Sequence, residues 1–357
     1  MKTKKLSSTA SKRHECMNES ALQALLIINP ISGVSGKSGL AEHALSALSH
    51  TGWDIDVAYT TCHGDATRLA REAVGRGFHA VLAAGGDGTV NETAAALCNS
   101  STRLGIIPCG SGNGLARHLG IPVDIDDALA IIGRGKYIVC DYASVNEMPF
   151  FCTFGVGFDA EVSWRFAKQR RRGKLSYIRS TIAEYIRYRP QNYTIRANGT
   201  IVTDKAFLVA VCNASQYGNN AYIAPHASLT DGLLDVTIIH SGSALSTMVA
   251  GADLMTGLID KNAIIDTFRA DSLVIERAAD GPAHIDGEPI HIDNVMDIKC
   301  HHASLSIFTP DEHEHRPFYP IVTPMADAIK DMGLSIRHLF PSSFHSALHH
   351  GHKPHKK

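Results

Sequence analysis

Val81-Leu82-Ala83-Ala84-Gly85-Gly86-Asp87-Gly88-Thr89-Val90-Asn91-Glu92 is the stretch that decides how this chain is interpreted. Its apolar first part is typical of a buried strand, and its last residues lead into an alanine-rich run typical of a helix. Glycines after a strand let the backbone approach a ligand closely, and the first amides of a helix favour an anion. Asp87 would repel a phosphate unless a cation such as Mg²⁺ lies between them. The stretch therefore predicts a site for nucleotide phosphates and a metal ion.

Two familiar phosphate-binding motifs do not fit this spacing. The dinucleotide fingerprint would need a third glycine where the chain has Asn91. The phosphate loop would need Gly-Lys-Ser or Gly-Lys-Thr after the glycines. Taken alone, the stretch also agrees with a strand-to-helix turn that needs glycine only for its backbone conformation.

Length and composition are those of an ordinary soluble globular protein. The 357 residues suit about two domains, and 44% are hydrophobic and 19% charged. The formal net charge is −1, so the whole chain has no field that would attract nucleic acid. The eight cysteines include no Cys-x-x-Cys pair, which disfavours a zinc site and indicates reduced thiols in a cytoplasm. No apolar run approaches the ~18 residues that cross a bilayer, so any membrane contact is expected to be peripheral.

Strand-like and helix-like segments alternate over the first part of the chain, which predicts a doubly wound parallel sheet covered by helices. Three of the predicted strands end in glycine-rich turns, after Asn29, Ala84 and Pro108. Ligands bind outside the carboxyl ends of strands in such sheets, so three turns at one edge favour a nucleotide site. The predicted strands cover 22–29, 53–59, 80–84 and 104–108, and the predicted helices cover 39–52 and 65–77.

From about Lys136 the pattern changes to short strand-like runs separated by Asn-Gly and Asp-Gly turns, which is typical of an antiparallel sandwich. The strands predicted here cover 137–143, 150–154, 193–197, 207–212, 234–239, 272–275, 283–285, 296–299 and 304–308. Helix-like inserts near 159–189 and 244–260 interrupt these runs. The first insert is rich in Arg and Lys, so we expect either a solvated helix face or a contact with an anion. The predicted organisation is a disordered basic arm at 1–18, an α/β domain at 19–142, a β-sandwich domain at 143–310 and an extension with a histidine-rich tail at 311–357.

Seven short motifs follow one another between about residues 22 and 310. They are Asn29-Pro30-x-Ser32-Gly33, Thr60 with Gly64-Asp65-Ala66, Gly85-Gly86-Asp87-Gly88-Thr89-Val90-Asn91-Glu92, Pro108-x-Gly110-Ser111-x-Asn113-x-x-Ala116-Arg117, Gly157-Phe158-Asp159, Asp231-Gly232-Leu233-Leu234-Asp235 and Asp286-Gly287-Glu288. In this order they resemble the diacylglycerol kinase catalytic domain superfamily, which includes bacterial soluble lipid kinases and sphingosine kinases.

The resemblance implies a lipid kinase that uses ATP and Mg²⁺ in the cleft between an α/β domain, similar to that of NAD kinases, and a β-sandwich. A structural Mg²⁺ would use the Asp231 carboxylate and backbone oxygens of Ser228 and Leu233. Glu288 would be the general base for a lipid hydroxyl, and Asp87 is the rival for that role. The residues implied to hold the nucleotide are Asn29, Pro30, Ser32, Gly33, Thr60, Gly85, Gly86, Asp87, Gly88, Thr89, Asn91, Glu92, Gly110, Ser111 and Asn113.

Departures from the family pattern bear on the acceptor lipid. Many bacterial diacylglycerol kinases have Gly-Thr-x-Asn-Asp, whereas here the last position is Gly114, which is closer to the sphingosine kinase pattern. Against that, Ser163 stands where a second acid near Glu161 would be expected to meet a sphingoid amine. We therefore expect transfer of the ATP γ-phosphate to diacylglycerol or a related membrane lipid, with a sphingoid base as the alternative acceptor.

Two further alternatives are an NAD kinase and a non-catalytic nucleotide or lipid sensor. The basic insert and the segment from Asp231 to Asp235 disfavour an NAD kinase. We expect a cytoplasmic enzyme that is peripheral at the inner face of the membrane and has no nucleic-acid partner. A homodimer is one candidate assembly.

Overall fold

The computed structural model of the protein describes residues 22–32, 39–167, 188–218, 221–259 and 262–310. They form an α/β domain followed by a domain of antiparallel strands, as the sequence predicts. No helix in these ranges is long and apolar enough to cross a membrane. The predicted Gly33, most of the basic insert, the N-terminal arm and the C-terminal extension lie outside the described residues.

The first domain is a parallel sheet with helices. Its strands are β1 (Leu22–Ile28), β2 (Trp53–Tyr59), β3 (Ala80–Gly85) and β4 (Arg103–Pro108), and its helices are α1 (Leu40–Leu48), α2 (Asp65–Gly75), α3 (Asp87–Leu97), α4 (Gly114–His118) and α5 (Ile125–Arg134). The strands lie in the order β2-β1-β3-β4, and all three pairings are parallel. Every residue of β3 is buried, because layers of helices cover a central parallel strand on both faces. Neighbouring parallel strands bring the turns after β1, β3 and β4 to one edge.

The second domain is built from antiparallel strands. Its elements are β5 (Tyr137–Val145), β6 (Met148–Phe150), β7 (Thr153–Gly157), α6 (Phe158–Ala167), β8 (Gln191–Ala197), β9 (Thr200–Cys212), β10 (Leu234–His240), α7 (Ala244–Thr256), β11 (Ile265–Ala270), β12 (Ser272–Arg277), β13 (Gly281–Ile285), β14 (Glu288–Ile292) and β15 (Val295–Phe308). The end of β15 also pairs in parallel with β4, at Ile307 and Leu104. That pairing joins the strands of the two domains into one continuous sheet.

The strand predictions for the second domain differ from the structure in three places. The run predicted over 150–154 is two strands, because the chain turns at Phe151 and Cys152 between β6 and β7. Strands β11 and β14 were not predicted, since polar residues interrupt their apolar pattern. Two runs predicted near the end of the domain form the single strand β15, whose register shifts between His301 and Leu305. Such a shift is typical of a β-bulge.

Candidate active site

Three glycine-rich turns of the first domain meet at one edge of the sheet. The Asn29 amide donates to the Ala84 carbonyl (3.0 Å), and the Cys109 amide donates to the Gly85 carbonyl (2.8 Å). The Asn29 side-chain nitrogen also donates to the Thr89 hydroxyl at 3.0 Å. These bonds join the turn after β1 to the turn after β3, and the turn after β3 to that after β4. The structure therefore brings the three predicted turns together.

Two of these turns approach so closely that glycine is required. A β-carbon on Gly110 would lie 2.6 Å from the Gly86 α-carbon and 2.8 Å from the Asn113 side-chain oxygen. A β-carbon on Gly85 would overlap the Thr89 side chain. Because the obstacle to Gly110 is backbone, no side-chain rotation can make room. These glycines permit close contact between two turns. A strand-to-helix connection by itself does not require that contact.

Asp87 joins the turn after β3 to the start of α4. One carboxylate oxygen accepts the Asn113 amide at 2.9 Å, and the other accepts the Gly114 amide at 2.7 Å. A β-carbon on Gly112 would lie 2.7 Å from the same carboxylate, so glycine makes room for it. Each oxygen keeps a second acceptor position, since a carboxylate has about four lone-pair sites. Asp87 is half-buried and can still accept a cation or a proton.

Three residues predicted to hold the nucleotide also make supporting contacts within the protein. The buried Asn113 closes the turn after β4, because its side chain both accepts the Gly110 amide (3.0 Å) and donates to the Gly110 carbonyl (2.9 Å). Asn91 donates to Asp286 of the second domain at 2.8 Å. Glu92 accepts two backbone amides at the start of α2. These contacts give Asn113, Asn91 and Glu92 positioning roles.

The turn after β2 is attached to both neighbouring elements. The Thr60 amide donates to the Ile28 carbonyl at 3.0 Å, beside the turn after β1. The Glu92 carboxylate accepts the Gly64 amide (2.9 Å) and the Ala66 amide (3.1 Å), which are free donors at the start of α2. Because Glu92 lies in α3, it fixes this turn relative to the central glycines. Its two oxygens are directed at α2.

The remaining predicted nucleotide residues lie at the rim of the turns. Pro30 is exposed, and the Ser32 hydroxyl donates to the Asn29 carbonyl at 3.2 Å. Ser111 is exposed at the tip of the turn after β4, where its hydroxyl can reach a ligand. Gly88 lies in the first turn of α3. These positions surround the edge where the three turns meet.

The turn between β13 and β14 carries the acids of the second domain. Asp286 and Gly287 both have left-handed backbone angles (φ of 51° and 85°), as a two-residue hairpin turn requires. The Asp286 carboxylate accepts the amides of the three consecutive residues Phe151, Cys152 and Thr153 at 2.7–2.9 Å, in addition to the Asn91 bond. Burial, opposed by these amide donors, raises the pKa of Asp286 to about 6.

Glu288 follows this turn and reaches the first domain. Its Oε1 lies 3.6 Å from the position that a β-carbon on Gly88 would take. Gly88 is the residue after Asp87, so the two candidate bases from different domains face one cleft. Within the described residues, no hydrogen bond or ion pair engages the exposed Glu288 carboxylate. Asp87, by contrast, already accepts two backbone amides.

The predicted structural metal site is a compact turn before β10. The Leu233 amide donates to Asp231 Oδ1 at 3.1 Å, and Ser228 is half-buried in the preceding loop. Among the described residues, no group of three or more His, Cys, Asp or Glu side chains could hold a metal ion. A site here would therefore depend on Asp231 and the backbone oxygens of Ser228 and Leu233.

The cation at this turn is Arg269 of β11. Its guanidinium donates to Asp231 (3.4 Å), to Asp235 (3.1 Å) and to the His226 carbonyl (2.7 Å). Burial raises the pKa of the Asp235 carboxyl, and Arg269 opposes that shift. The guanidinium therefore balances part of the negative charge at this turn. The assignment of Ser228, Asp231 and Leu233 as metal ligands stays a prediction.

Comparisons with known proteins agree with this architecture. Residues 23–145 match the family described as the diacylglycerol kinase catalytic domain, and residues 152–308 match the YegS C-terminal NAD kinase beta sandwich-like domain. A diacylglycerol kinase from Mycobacterium tuberculosis (strain ATCC 25618 / H37Rv) is 31% identical over 281 residues, which cover 76% of this chain and 89% of that protein. A diacylglycerol kinase from Bacillus subtilis (strain 168) is 34% identical over 223 residues, which cover 61% of this chain and 73% of that protein.

A solved structure shares the fold. The crystal structure of a diacylglycerol kinase from Bacillus anthracis str. Sterne matches with a TM-score of 0.63 and 22% identity, over 81% of this chain and 97% of that chain. Together, the matched domains include both the glycine-rich turns and the Asp286–Glu288 hairpin. The chain therefore belongs to the diacylglycerol kinase catalytic domain family, and the protein is an ATP-dependent lipid kinase.

Proposed function

We propose that this lipid kinase transfers the γ-phosphate of ATP to a hydroxyl of diacylglycerol or a closely related membrane lipid, with Glu288 as the general base. The observation that carries this proposal is the approach of Glu288 Oε1 to Gly88, beside Asp87. It puts a carboxylate with no partner among the described residues at the edge of the glycine-rich turns. A base must lie within reach of the proton that it takes. Geometry favours Glu288, because the Asp87 carboxylate already accepts two backbone amides.

The triphosphate would lie against the turns of the first domain. Backbone amides at the start of α3 and the exposed hydroxyl of Ser111 supply donors there. The turns that begin at Asn29 and Thr60 form the rim for the rest of the nucleotide. The close packing of Gly86 and Gly110 keeps this edge free of side chains, so phosphate oxygens can reach backbone N–H groups.

Asp87 would hold the Mg²⁺ that accompanies ATP. Its two amide bonds leave acceptor positions on both oxygens, and carboxylate oxygens with phosphate oxygens are the usual ligands of Mg²⁺. The ion would neutralise charge on the phosphates during transfer. Held by α4 amides, the Asp87 carboxylate is already oriented before any ligand arrives.

Glu288 would then accept the proton of the lipid hydroxyl. The hydroxyl oxygen forms a bond to the γ-phosphorus while the bond between that phosphorus and the β–γ bridging oxygen breaks, and ADP leaves. Phosphoryl transfer depends mainly on in-line positioning and charge neutralisation. The hydrogen bond from Asn91 to Asp286 supplies the positioning, because it holds the turn before Glu288 against α3. The lipid stays in a bilayer, so we place the enzyme in the cytoplasm, where ATP is available, in peripheral contact with the inner membrane face.

The test is incubation of the purified protein with ATP, Mg²⁺ and a total lipid extract, followed by mass analysis of the phosphorylated lipids. We expect phosphatidic acid to appear. Glu288→Gln should lower kcat at least 100-fold, because a general base contributes about 10²–10⁴-fold. Glu276→Gln, which changes a half-buried acid of β12 that pairs with Arg196 of β8, is the matched control and should keep full activity.

Other outcomes of this experiment would replace the proposal. Phosphate appearing only on sphingoid bases would assign the alternative acceptor. Conversion of NAD to NADP without lipid phosphorylation would indicate an NAD kinase, and ATP binding without transfer to any acceptor would indicate a sensor. Full activity of Glu288→Gln together with loss of activity in Asp87→Asn would move the base to Asp87.

A further inference from the structure

A cluster of three side chains lies directly behind the turn that carries Glu288. His284 is in β13, and its side chain is only 2% exposed. Its Nε2 lies 3.0 Å from Oδ2 of Asp159, at the start of α6. The Tyr217 hydroxyl donates to the same oxygen at 2.9 Å. Among the described residues, no hydrogen bond or ion pair joins Asp159 or His284 to the glycine-rich turns, and the proposed lipid kinase chemistry does not use them.

The contacts of His284 determine where its ring proton lies. The Gly287 amide donates to Nδ1 at 3.4 Å, and a backbone N–H can only donate. Nδ1 is therefore the acceptor, and the proton of the neutral ring is on Nε2, where it donates to Asp159. The ring thus connects the carboxylate of Asp159 to the backbone of the residue that precedes Glu288.

The neighbouring backbone is shaped for this pair. A β-carbon on Gly155 of β7 would overlap both His284 Nε2 and Asp159 Oδ2. The other Asp159 oxygen accepts the Ala160 amide at 2.8 Å, so the carboxylate is fixed at both ends. Buried polar groups with all partners satisfied hold a single geometry, whereas one missing partner leaves a costly unpaired group.

The cluster also lies close to Gly114, whose backbone amide donates to Asp87. The Tyr217 carbonyl lies 3.6 Å from the position of a β-carbon on Gly114, whose amide donates to Asp87. The Tyr217 ring packs edge-on against the His284 ring, with centroids 5.7 Å apart. The Tyr217 ring therefore contacts His284, behind the Glu288 turn. The Tyr217 carbonyl lies near Gly114, whose amide binds Asp87.

We propose that Asp159 and His284 are positioning residues for the general base. They hold the Gly287 backbone so that Glu288 points across the cleft toward Gly88. This inference rests on the proposed role of Glu288. A misplacement of about 1 Å in a reacting group can cost 10²-fold in rate, so a buried support two residues from the turn has a measurable effect on turnover.

The test compares His284→Ala and Asp159→Asn with the unchanged protein in the lipid phosphorylation assay. We expect kcat to fall about 10- to 100-fold while KM for ATP stays within twofold, since the nucleotide turns belong to the other domain. Added imidazole should restore at least part of the lost kcat of His284→Ala, because the substitution leaves a buried space the size of the ring. Asp159→Asn has no such space, so imidazole should not restore it.

His291→Ala is the matched control. His291 also pairs with an aspartate, Asp280 at 3.0 Å, on the same hairpin, but its side chain is exposed and it does not contact the turn. It should keep full activity. If His284→Ala does not fold, Tyr217→Phe removes only one donor to Asp159 and should lower kcat about threefold to tenfold with ATP affinity unchanged.

Two results would overturn the inference. One is full kcat in both His284→Ala and Asp159→Asn. The other is a loss of kcat that imidazole does not restore and that runs parallel to a rise in KM for ATP, as a general loss of folding would give. Failure of the proposed function is distinguishable, because then Glu288→Gln itself would retain activity.

Discussion

The side-chain amide of Asn91 donates a 2.8 Å hydrogen bond to the carboxylate of Asp286, and this bond joins the two domains across the cleft. Asn91 is one helical turn after Asp87, and Asp286 is two residues before Glu288. The bond therefore sets the separation between the acid of the nucleotide turns and the proposed base. Asn91, which the sequence assigned to nucleotide binding, thus also holds the two domains together.

Removal of this bond should loosen the cleft. Asn91→Ala leaves a lone pair of the Asp286 carboxylate without its donor, which we expect to cost about 1–3 kcal/mol of unfolding free energy. We also expect kcat to fall about tenfold, because the Glu288 turn loses its contact with α3. Urea denaturation and steady-state kinetics measure the two effects. Asn192→Ala, on an exposed position of β8, should change neither quantity.

The stability of the protein should depend on the ionisation of Asp286. Burial raises its pKa from 3.8 to about 6, so ionisation is less favourable in the folded chain than in the unfolded chain. The contribution of this group is fully present below pH 4 and is lost as the pH rises through 6. By linkage the change is about 3 kcal/mol.

Urea denaturation of the unchanged protein and of Asp286→Asn at pH 4 to 7 checks this expectation. The asparagine variant cannot ionise, so its unfolding free energy relative to the unchanged protein should rise across this interval. Parallel curves for the two proteins would show that the three backbone amides stabilise the carboxylate fully and that the pKa is not raised.

Gly110→Ala should disturb the sheet edge where the three glycine-rich turns meet. The added methyl group would lie 2.6 Å from the Gly86 α-carbon, and two backbones would have to separate to admit it. Overpacking of this kind costs about 1–3 kcal/mol, and we expect ATP affinity to fall with it. Thermal unfolding and ATP titration measure both.

Gly251→Ala is the paired control for that substitution. It also adds one methyl group to a glycine, but Gly251 lies in α7 with no atom within 4 Å of the new carbon. Because alanine favours a helix over glycine by about 1 kcal/mol, this variant should be slightly more stable and bind ATP normally. Equal effects of the two substitutions would contradict the close approach of the turns.

Chelation tests the predicted structural Mg²⁺ at the Asp231 turn. An ion that binds only the folded chain stabilises it, so EDTA in the absence of nucleotide should lower the midpoint of thermal unfolding. Arg269 should add to this stability, because it pairs with Asp231 and Asp235. Arg269→Met should lower that midpoint by several degrees, because Asp235 loses its charged donor. Arg76→Met, which changes an exposed pair with Asp56, is the control. A midpoint that chelation leaves unchanged would contradict the predicted structural Mg²⁺.

Much of the fold could be predicted from local sequence. The buried run of β3 and the glycines that follow it specify a central parallel strand with an anion-binding turn, because strand burial and glycine conformation are properties of neighbouring residues. The change to short strands after Lys136 likewise predicted the antiparallel domain. Strand β14 was missed, since Pro289 disfavours a strand except at the edge of a sheet, where β14 lies.

The partners of the acids depended on the tertiary structure. Asn91 and Asp286 are 195 residues apart, and Asp159 and His284 are 125 residues apart, so no local pattern could pair them. The carboxylates of Asp87 and Glu92 look alike as phosphate-site residues in the sequence, yet each accepts backbone amides that only folding brings near. Residue order thus determined which turns could meet a phosphate, because backbone conformation is local. Chain folding decided that Glu288 has no hydrogen-bond partner among the described residues, because such partners are selected by distance in space.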